Sequence, residues 1–210
     1  MIAVIDYGAG NIQSVVKAFE HIGCDCAVTD NPDVLSDADA AVMPGVGSFG
    51  DAMDNLRTRG FERPIEDFIE SGKPFLGICL GMQILFGGSE ESPGVRGLDI
   101  FKGEIRRIPP GADACGARLK IPHIGWNSLS IEKPGALFQD LADKPFVYFV
   151  HSYYLCATED IVTARTDYGV PVDAAVQKGN IYACQFHPEK SGDIGIQMLK
   201  NFKRICKEGN

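Results

Sequence analysis

The apolar positions of the first 86 residues alternate between two periods. Met1–Ile5 is a continuous apolar run, which predicts a buried strand. Val15, Val16, Phe19 and Ile22 then recur at helical spacing. They predict a helix over about 12–22, with Asn11 at its N-cap. Cys24–Val28 reads as a second strand, Pro32–Ser36 as a short helix and Ala40–Met43 as a third strand. Asp51–Arg59 and Glu62–Glu70 read as helices, stopped by Gly60 and Gly72. Pro74–Leu76 reads as a fourth strand, and the dense apolar set Met82, Ile84, Leu85 and Phe86 as a buried helix behind it. This alternation predicts an α/β fold, a central mostly parallel sheet with helices on both faces.

From Ile100 the pattern changes. Ile100–Ile108, Ile124–Ile131, Phe146–Val150, Ile161–Thr166, Val170–Gln177 and Ile181–Phe186 are short strand-like runs without long helices between them. They predict antiparallel or mixed extensions of the sheet. Gly87–Gly97 and Pro109–Gly116 read as loops, and Ala136–Leu141 as at most a short helix. The aromatic-rich run Phe146–Tyr154 reads as core. Ile194–Lys207 reads as a closing helix with Met198, Leu199, Phe202 and Ile205 on its buried stripe. Its basic C-terminal half suits the helix dipole.

The totals narrow the class. At 210 residues the chain is expected to be one domain, 1–210. A formal charge of −8 argues against a nucleic-acid partner. No apolar run approaches the roughly 20 residues of a membrane-spanning helix. The N-terminus lacks a basic leader region. Seven cysteines, Cys115 among them, show no C-x-x-C pair and no zinc spacing. They imply a reducing compartment, hence a cytoplasmic protein, with no metal or cofactor expected. Gly8-Ala9-Gly10 lacks the third glycine of a dinucleotide fingerprint, since Gln13 stands in its place.

Candidate chemistry centres on Gly77-Ile78-Cys79-Leu80-Gly81-Met82-Gln83. Cys79 falls at a strand-to-helix turn with glycines two residues either side, the layout of a nucleophile elbow. Backbone N–H groups at such a turn favour a thiolate and can cradle an oxyanion. A base is available in Phe186-His187-Pro188-Glu189. His187 comes at or past a strand's end, and Glu189, two residues on in an extended segment, leans to the same side. Cys79, His187 and Glu189 can then act as nucleophile, base and orienting carboxylate. The glycine-rich Pro44–Gly50 loop can aim an N–H at a developing oxyanion.

These two motifs together resemble the class I glutamine amidotransferases, the triad glutaminases. Asp6–Asn11, Pro44–Gly50, Pro122–Asn127 and His187–Ser191 are similar to the glutaminase subunits of imidazole glycerol phosphate synthase, and the likeness runs from Met1 to about Lys203. The resemblance implies glutamine hydrolysis to glutamate and ammonia. The ammonia would pass through an interface channel to a (β/α)₈-barrel synthase partner, in a heterodimer, converting PRFAR to imidazole glycerol phosphate and AICAR. It assigns Leu80 and the Gly45, Val46, Gly47 loop to the oxyanion hole. It assigns Gln83, Glu91 and the backbone of His151, Ser152 and Tyr153 to glutamine. It places Asn11, Trp126, Tyr148 and Lys190 towards the partner. It further implies a subunit nearly inactive until partner and ligand reshape the oxyanion loop. Two other readings share the residues: a different triad amidotransferase or γ-glutamyl hydrolase, disfavoured by the 44–50 and 122–127 stretches, and a non-catalytic regulatory subunit, disfavoured by the complete triad.

Overall fold

The structure, a computed structural model, describes residues 1–112 and 116–208. Cys115 and part of the Pro109–Gly116 loop lie outside the described residues. In chain order the first elements are β1 (Ile2–Ile5), α1 (Ile12–His21), β2 (Cys26–Thr29), β3 (Ala40–Gly45), α2 (Phe49–Thr58) and α3 (Glu62–Glu70). Then come β4 (Phe75–Cys79), α4 (Leu80–Gln83), β5 (Gly103–Arg107), β6 (His123–Ser128), β7 (Ser130–Ile131) and β8 (Phe146–His151). The last are β9 (Tyr153–Ala157), β10 (Val162–Asp167), β11 (Pro171–Lys178), β12 (Ile181–Cys184) and α5 (Gly192–Glu208).

β2, β1, β3, β4 and β12 lie side by side in parallel. β1, β3, β4 and β12 are buried along their whole length, as parallel strands covered on both faces must be. Alternate residues feed two cores. Ala3, Ile5, Ala41 and Met43 pack with Phe49, Leu56, Ile65 and Phe68 of α2 and α3. Ile2, Val4, Val42 and Leu76 pack with Phe19 of α1 and with Leu199 and Phe202 of α5. β11, β10 and β7 extend the sheet antiparallel beyond β12. β9 branches from β11 and carries β5. β6 and β8 form a separate two-stranded sheet. The mostly parallel α/β sheet with antiparallel extensions is therefore as the pattern predicts.

The order of the strands builds the site. β12 comes late in the chain yet pairs with β4, with Cys184 opposite Ile78. The segment leaving β12 therefore emerges beside the segment leaving β4. On the other flank Gly45 of β3 pairs with Cys79. Three carboxyl ends converge at one point, where open α/β sheets place ligand sites.

Four expectations need correction. The helix after Cys79 is a single turn, Leu80–Gln83. The apolar run beyond it is buried, but the Ile84 and Leu85 carbonyls accept from Leu98, Ile100 and Phe101 of a returning segment instead of extending a helix. β3 runs on through Pro44 and Gly45, past its last pairing with β1 at Val42, so a proline is tolerated there. Tyr153–Ala157 is a strand, in the interval that the runs Phe146–Val150 and Ile161–Thr166 leave between them. On α5 it is Cys206 that is buried, with Ile205 only packed against the core.

Candidate active site

Cys79 ends β4 with φ 56° and ψ −111°, a left-handed backbone for a residue with a side chain. The glycines beside it are demanded by close approach. A Cβ on Gly81 would lie 1.9 Å from the Met43 carbonyl oxygen, and one on Gly77 would lie 2.8 Å from the Gly81 carbonyl oxygen. The elbow is thus pressed against β3 backbone to backbone, which fixes the sulfur's direction.

His187 leaves β12 through Gln185 and Phe186. Its N–H donates to the Tyr148 carbonyl at 3.0 Å. Ser191 Oγ donates to its carbonyl at 2.6 Å, pinning the backbone. Nδ1 lies 2.8 Å from Glu189 Oε1, with both side chains almost fully buried. The residues after His187 form a 3-10 turn, Pro188–Lys190, not the extended segment expected. Pro188 starts that turn, and Lys190 N–H donates back to the His187 carbonyl. Glu189 reaches the imidazole through the turn instead of through strand alternation.

The electrostatics favour a protonated imidazole. Burial pushes the His187 pKa down, but the neighbouring Cys79 and Glu189 outweigh it and raise it to about 9. Among the described residues the buried Nε2 of His187 has no hydrogen-bond partner. An unpaired buried nitrogen is costly in a resting fold and useful in a proton transfer.

A cavity of about 280 Å³ opens above the sulfur. Val46, Gly47, Cys79, Leu80, Gln83, Glu91, His151, Ser152 and Tyr153 all lie on its wall, with Pro122 and Val150. The structure therefore brings together most residues expected in the oxyanion hole and the glutamine pocket. Gly45, His187 and Glu189 are not part of that wall. Glu91 already accepts a hydrogen bond at 2.8 Å from Phe49 N–H at the start of α2. Gln83 Nε2 donates to the Tyr153 carbonyl at 3.0 Å and to Gln185 Oε1 at 2.8 Å.

Three of the candidate partner residues, Trp126, Tyr148 and Lys190, form a face of their own. Trp126 stands opposite Tyr148 in the two-stranded sheet, their rings edge to face at 6.2 Å. Lys190 Nζ lies 6.0 Å from the Tyr148 ring centroid. Trp126 is 54 % exposed, flanked by exposed Ile124 and Phe146. Asn11 occupies the N-cap position of α1 but makes no side-chain cap bond.

Two residues beside the sulfur escaped the sequence reading. Gln185, fully buried, places Nε2 3.6 Å from Cys79 Sγ. It stands two positions before His187 on the bend that leaves β12, so strand alternation does not point to it. Tyr7 is fully buried, and among the described residues its hydroxyl, which lies against Gly45, has no partner. Burial, then the charge of Cys79, raises its pKa. It falls within the Asp6–Asn11 stretch, but nothing in the sequence points it towards the sulfur.

This fold and site define a class of protein. The chain belongs to the class-I glutamine amidotransferases, whose family, described as Glutamine amidotransferase class-I, matches residues 3–205. Its relatives are more particular. An imidazole glycerol phosphate synthase subunit HisH from Methanothermobacter thermautotrophicus is 51 % identical over 207 residues, covering 99 % of this chain and 100 % of that one. A subunit of the same name from Syntrophotalea carbinolica is 50 % identical, covering 96 % and 98 %. Within the class, this chain falls in the HisH family. The structure of PurLQS from Thermotoga maritima shares the fold, with a TM-score of 0.75 at 21 % identity over 97 % of each chain.

Proposed function

We propose that this chain hydrolyses glutamine and supplies the ammonia to a (β/α)₈-barrel synthase subunit. That partner would convert PRFAR to imidazole glycerol phosphate and AICAR in histidine biosynthesis. The observation that carries the glutaminase reading is the His187 ring, bonded to Glu189 on one nitrogen and unpartnered on the other beside Cys79. The names of the half-identical relatives support the synthase reading.

In the proposed reaction His187 holds the proton of the Cys79 thiol. The thiolate attacks the side-chain carboxamide carbon of glutamine, and the carbonyl electrons move to oxygen. Leu80 N–H and the Gly45–Gly47 backbone receive that oxyanion. Nε2–H of His187 protonates the leaving nitrogen, the C–N bond breaks and ammonia departs. Water then attacks the thioester with Nε2 taking its proton. Glutamate leaves and the thiolate returns. Glu189 keeps the imidazolium oriented throughout. An oxyanion donor contributes about 10²–10³-fold, and positioned acid–base catalysis about 10²–10⁴-fold. Gln83, Glu91 and the 151–153 backbone hold the amino-acid end of the substrate.

Ammonia released at neutral pH becomes ammonium and loses its nucleophilicity, so delivery requires a docked acceptor. The exposed apolar face of Trp126, with Tyr148, Lys190 and Asn11, is the surface we assign to that partner. Among the described residues no helix is long and apolar enough to cross a membrane. The free thiols of Cys24, Cys26, Cys79, Cys156 and Cys184 fit a reducing cytoplasm. We take residues 1–210 as one amidotransferase domain.

The test is glutamate release by the wild type and by Cys79→Ala, each alone and with the barrel synthase and its ribonucleotide ligand. Wild-type activity should rise on adding partner and ligand, and Cys79→Ala should stay at background while keeping its fold. A Cys79→Ala chain as active as the wild type would refute the nucleophile, and high activity indifferent to partner would refute the gated delivery.

A further inference from the structure

One run of hydrogen bonds crosses the floor of the cavity and ends on the sulfur. His123 Nδ1 lies 3.0 Å from His151 Nε2, and His151 Nδ1 lies 2.9 Å from the Tyr153 carbonyl. Gln83 Nε2 lies 3.0 Å from that same carbonyl and 2.8 Å from Gln185 Oε1. Gln185 Nε2 lies 3.6 Å from Cys79 Sγ.

The polarity of this run follows from one atom. A backbone carbonyl only accepts, so the groups facing Tyr153 O are donors. His151 therefore carries its proton on Nδ1 and accepts at Nε2, and His123 donates to it from Nδ1. Burial lowers the pKa of both rings, so both stay neutral near pH 7. The Gln83 group facing Tyr153 O is its NH₂, which faces the oxygen of Gln185 as well. Gln185 must then turn its own NH₂ to the sulfur, since the opposite flip would set two NH₂ groups together and leave an oxygen facing the sulfur. Its backbone is held too, with N–H donating to the Ala174 carbonyl at 2.9 Å.

We propose that Gln185 is a further catalytic residue, whose side-chain N–H is a neutral donor to the Cys79 thiolate, locked in orientation by the Tyr153 carbonyl through Gln83. This rests on the reading of Cys79 as nucleophile. A neutral donor steadies the thiolate without competing with His187 for its proton. It acts twice in the cycle, on the attacking thiolate and on the thiolate expelled from the thioester. A thioester sulfur accepts more weakly, so the bond favours expulsion. The titratable groups that feel the sulfur or its acid include His187, Glu189, Tyr7, Cys184 and His151. Gln185 differs from all of them in having no proton to lose.

The experiment is the rate of Cys79 alkylation by iodoacetamide against pH, for wild type, Gln185→Met and Gln185→Glu, with adducts mapped by mass spectrometry and folding checked by circular dichroism. In Gln185→Met the pH of half-maximal rate should rise by roughly one unit. Gln185→Glu, which keeps the shape but turns a carboxylate to the sulfur, should raise it further. The ring nitrogen NMR shifts of wild-type His151 should report the Nδ1–H tautomer. An unmoved midpoint in both variants with Cys79 as the labelled thiol, or an Nε2–H tautomer for His151, would overturn the role of Gln185 alone. A wild type alkylated elsewhere than Cys79 would overturn the nucleophile assignment and this proposal with it.

Discussion

A methyl group placed on Gly81 would probe how tightly the elbow is built. The new Cβ would stand 1.9 Å from Met43 O and 2.9 Å from Met43 C. Both partners are backbone, so no side chain can swing aside. To reach the shortest separation real Cβ atoms tolerate, the elbow and β3 must part by about 1.1 Å. The strand pairs at stake are Met43 with Gly77, Pro44 with Ile78 and Gly45 with Cys79. Overpacking of this kind costs about 1–3 kcal/mol, and each weakened ladder bond about 1 kcal/mol more. A loss of about 3 kcal/mol is expected for Gly81→Ala, or roughly 6–12 °C in Tm for a chain of this size. A displacement near 1 Å at the nucleophile should also lower glutaminase turnover about 10²-fold. The assay is denaturant unfolding alongside glutamate release in the complex. Gly88→Ala is the control, because its nearest atom, Val95 O, is 3.5 Å from the Cβ position, and it should stay within about 0.5 kcal/mol of wild type. A Gly81→Ala protein within about 1 kcal/mol of wild type and fully active would refute the close-packed elbow.

Glu189→Gln keeps a hydrogen-bonding oxygen near Nδ1 but removes the charge that stabilises the imidazolium, so turnover should fall about 10²–10⁴-fold with the fold retained; a loss under threefold in steady-state kinetics would show the carboxylate to be incidental. Burial holds His123 at a pKa of about 4 and His151 at about 3, against about 6.5 unfolded. Below pH 6.5 the unfolded chain therefore binds protons that the folded one refuses, and stability should fall as pH drops towards 3. Thermal melts should show a shallower fall in a His123→Gln, His151→Gln double variant, and an identical slope would place the lost stability elsewhere. Tyr7→Phe removes a buried hydroxyl that lacks a partner, so unfolding stability should hold or rise by about 1 kcal/mol; a clear loss would reveal a partner that the resting geometry does not show.

Much of the site was legible because its chemistry is carried by short local patterns. Gly77, Cys79 and Gly81 announce a crowded turn, and His187 with Glu189 announces an oriented base. The parallel half of the sheet was legible from continuous apolar runs flanked by helical spacing. What failed depends on distant backbone. The run Ile84–Phe86 reads as helix, yet its carbonyls are taken by a segment more than ten residues on. The break between β8 and β9 falls at Ser152, with no glycine or proline to mark it. Tyr7 and Gln185 come to the sulfur only because β1, β3, β4 and β12 are neighbours, an order that spacing along the chain does not state.

The most direct measurement is the mass of the intact protein, alone and in complex, after treatment with a chloroketone analogue of glutamine. One adduct on Cys79 is expected, formed about 10²-fold or more slowly in His187→Asn. Adducts spread over other thiols, or a His187→Asn protein labelled as fast as the wild type, would contradict the pairing of Cys79 with His187.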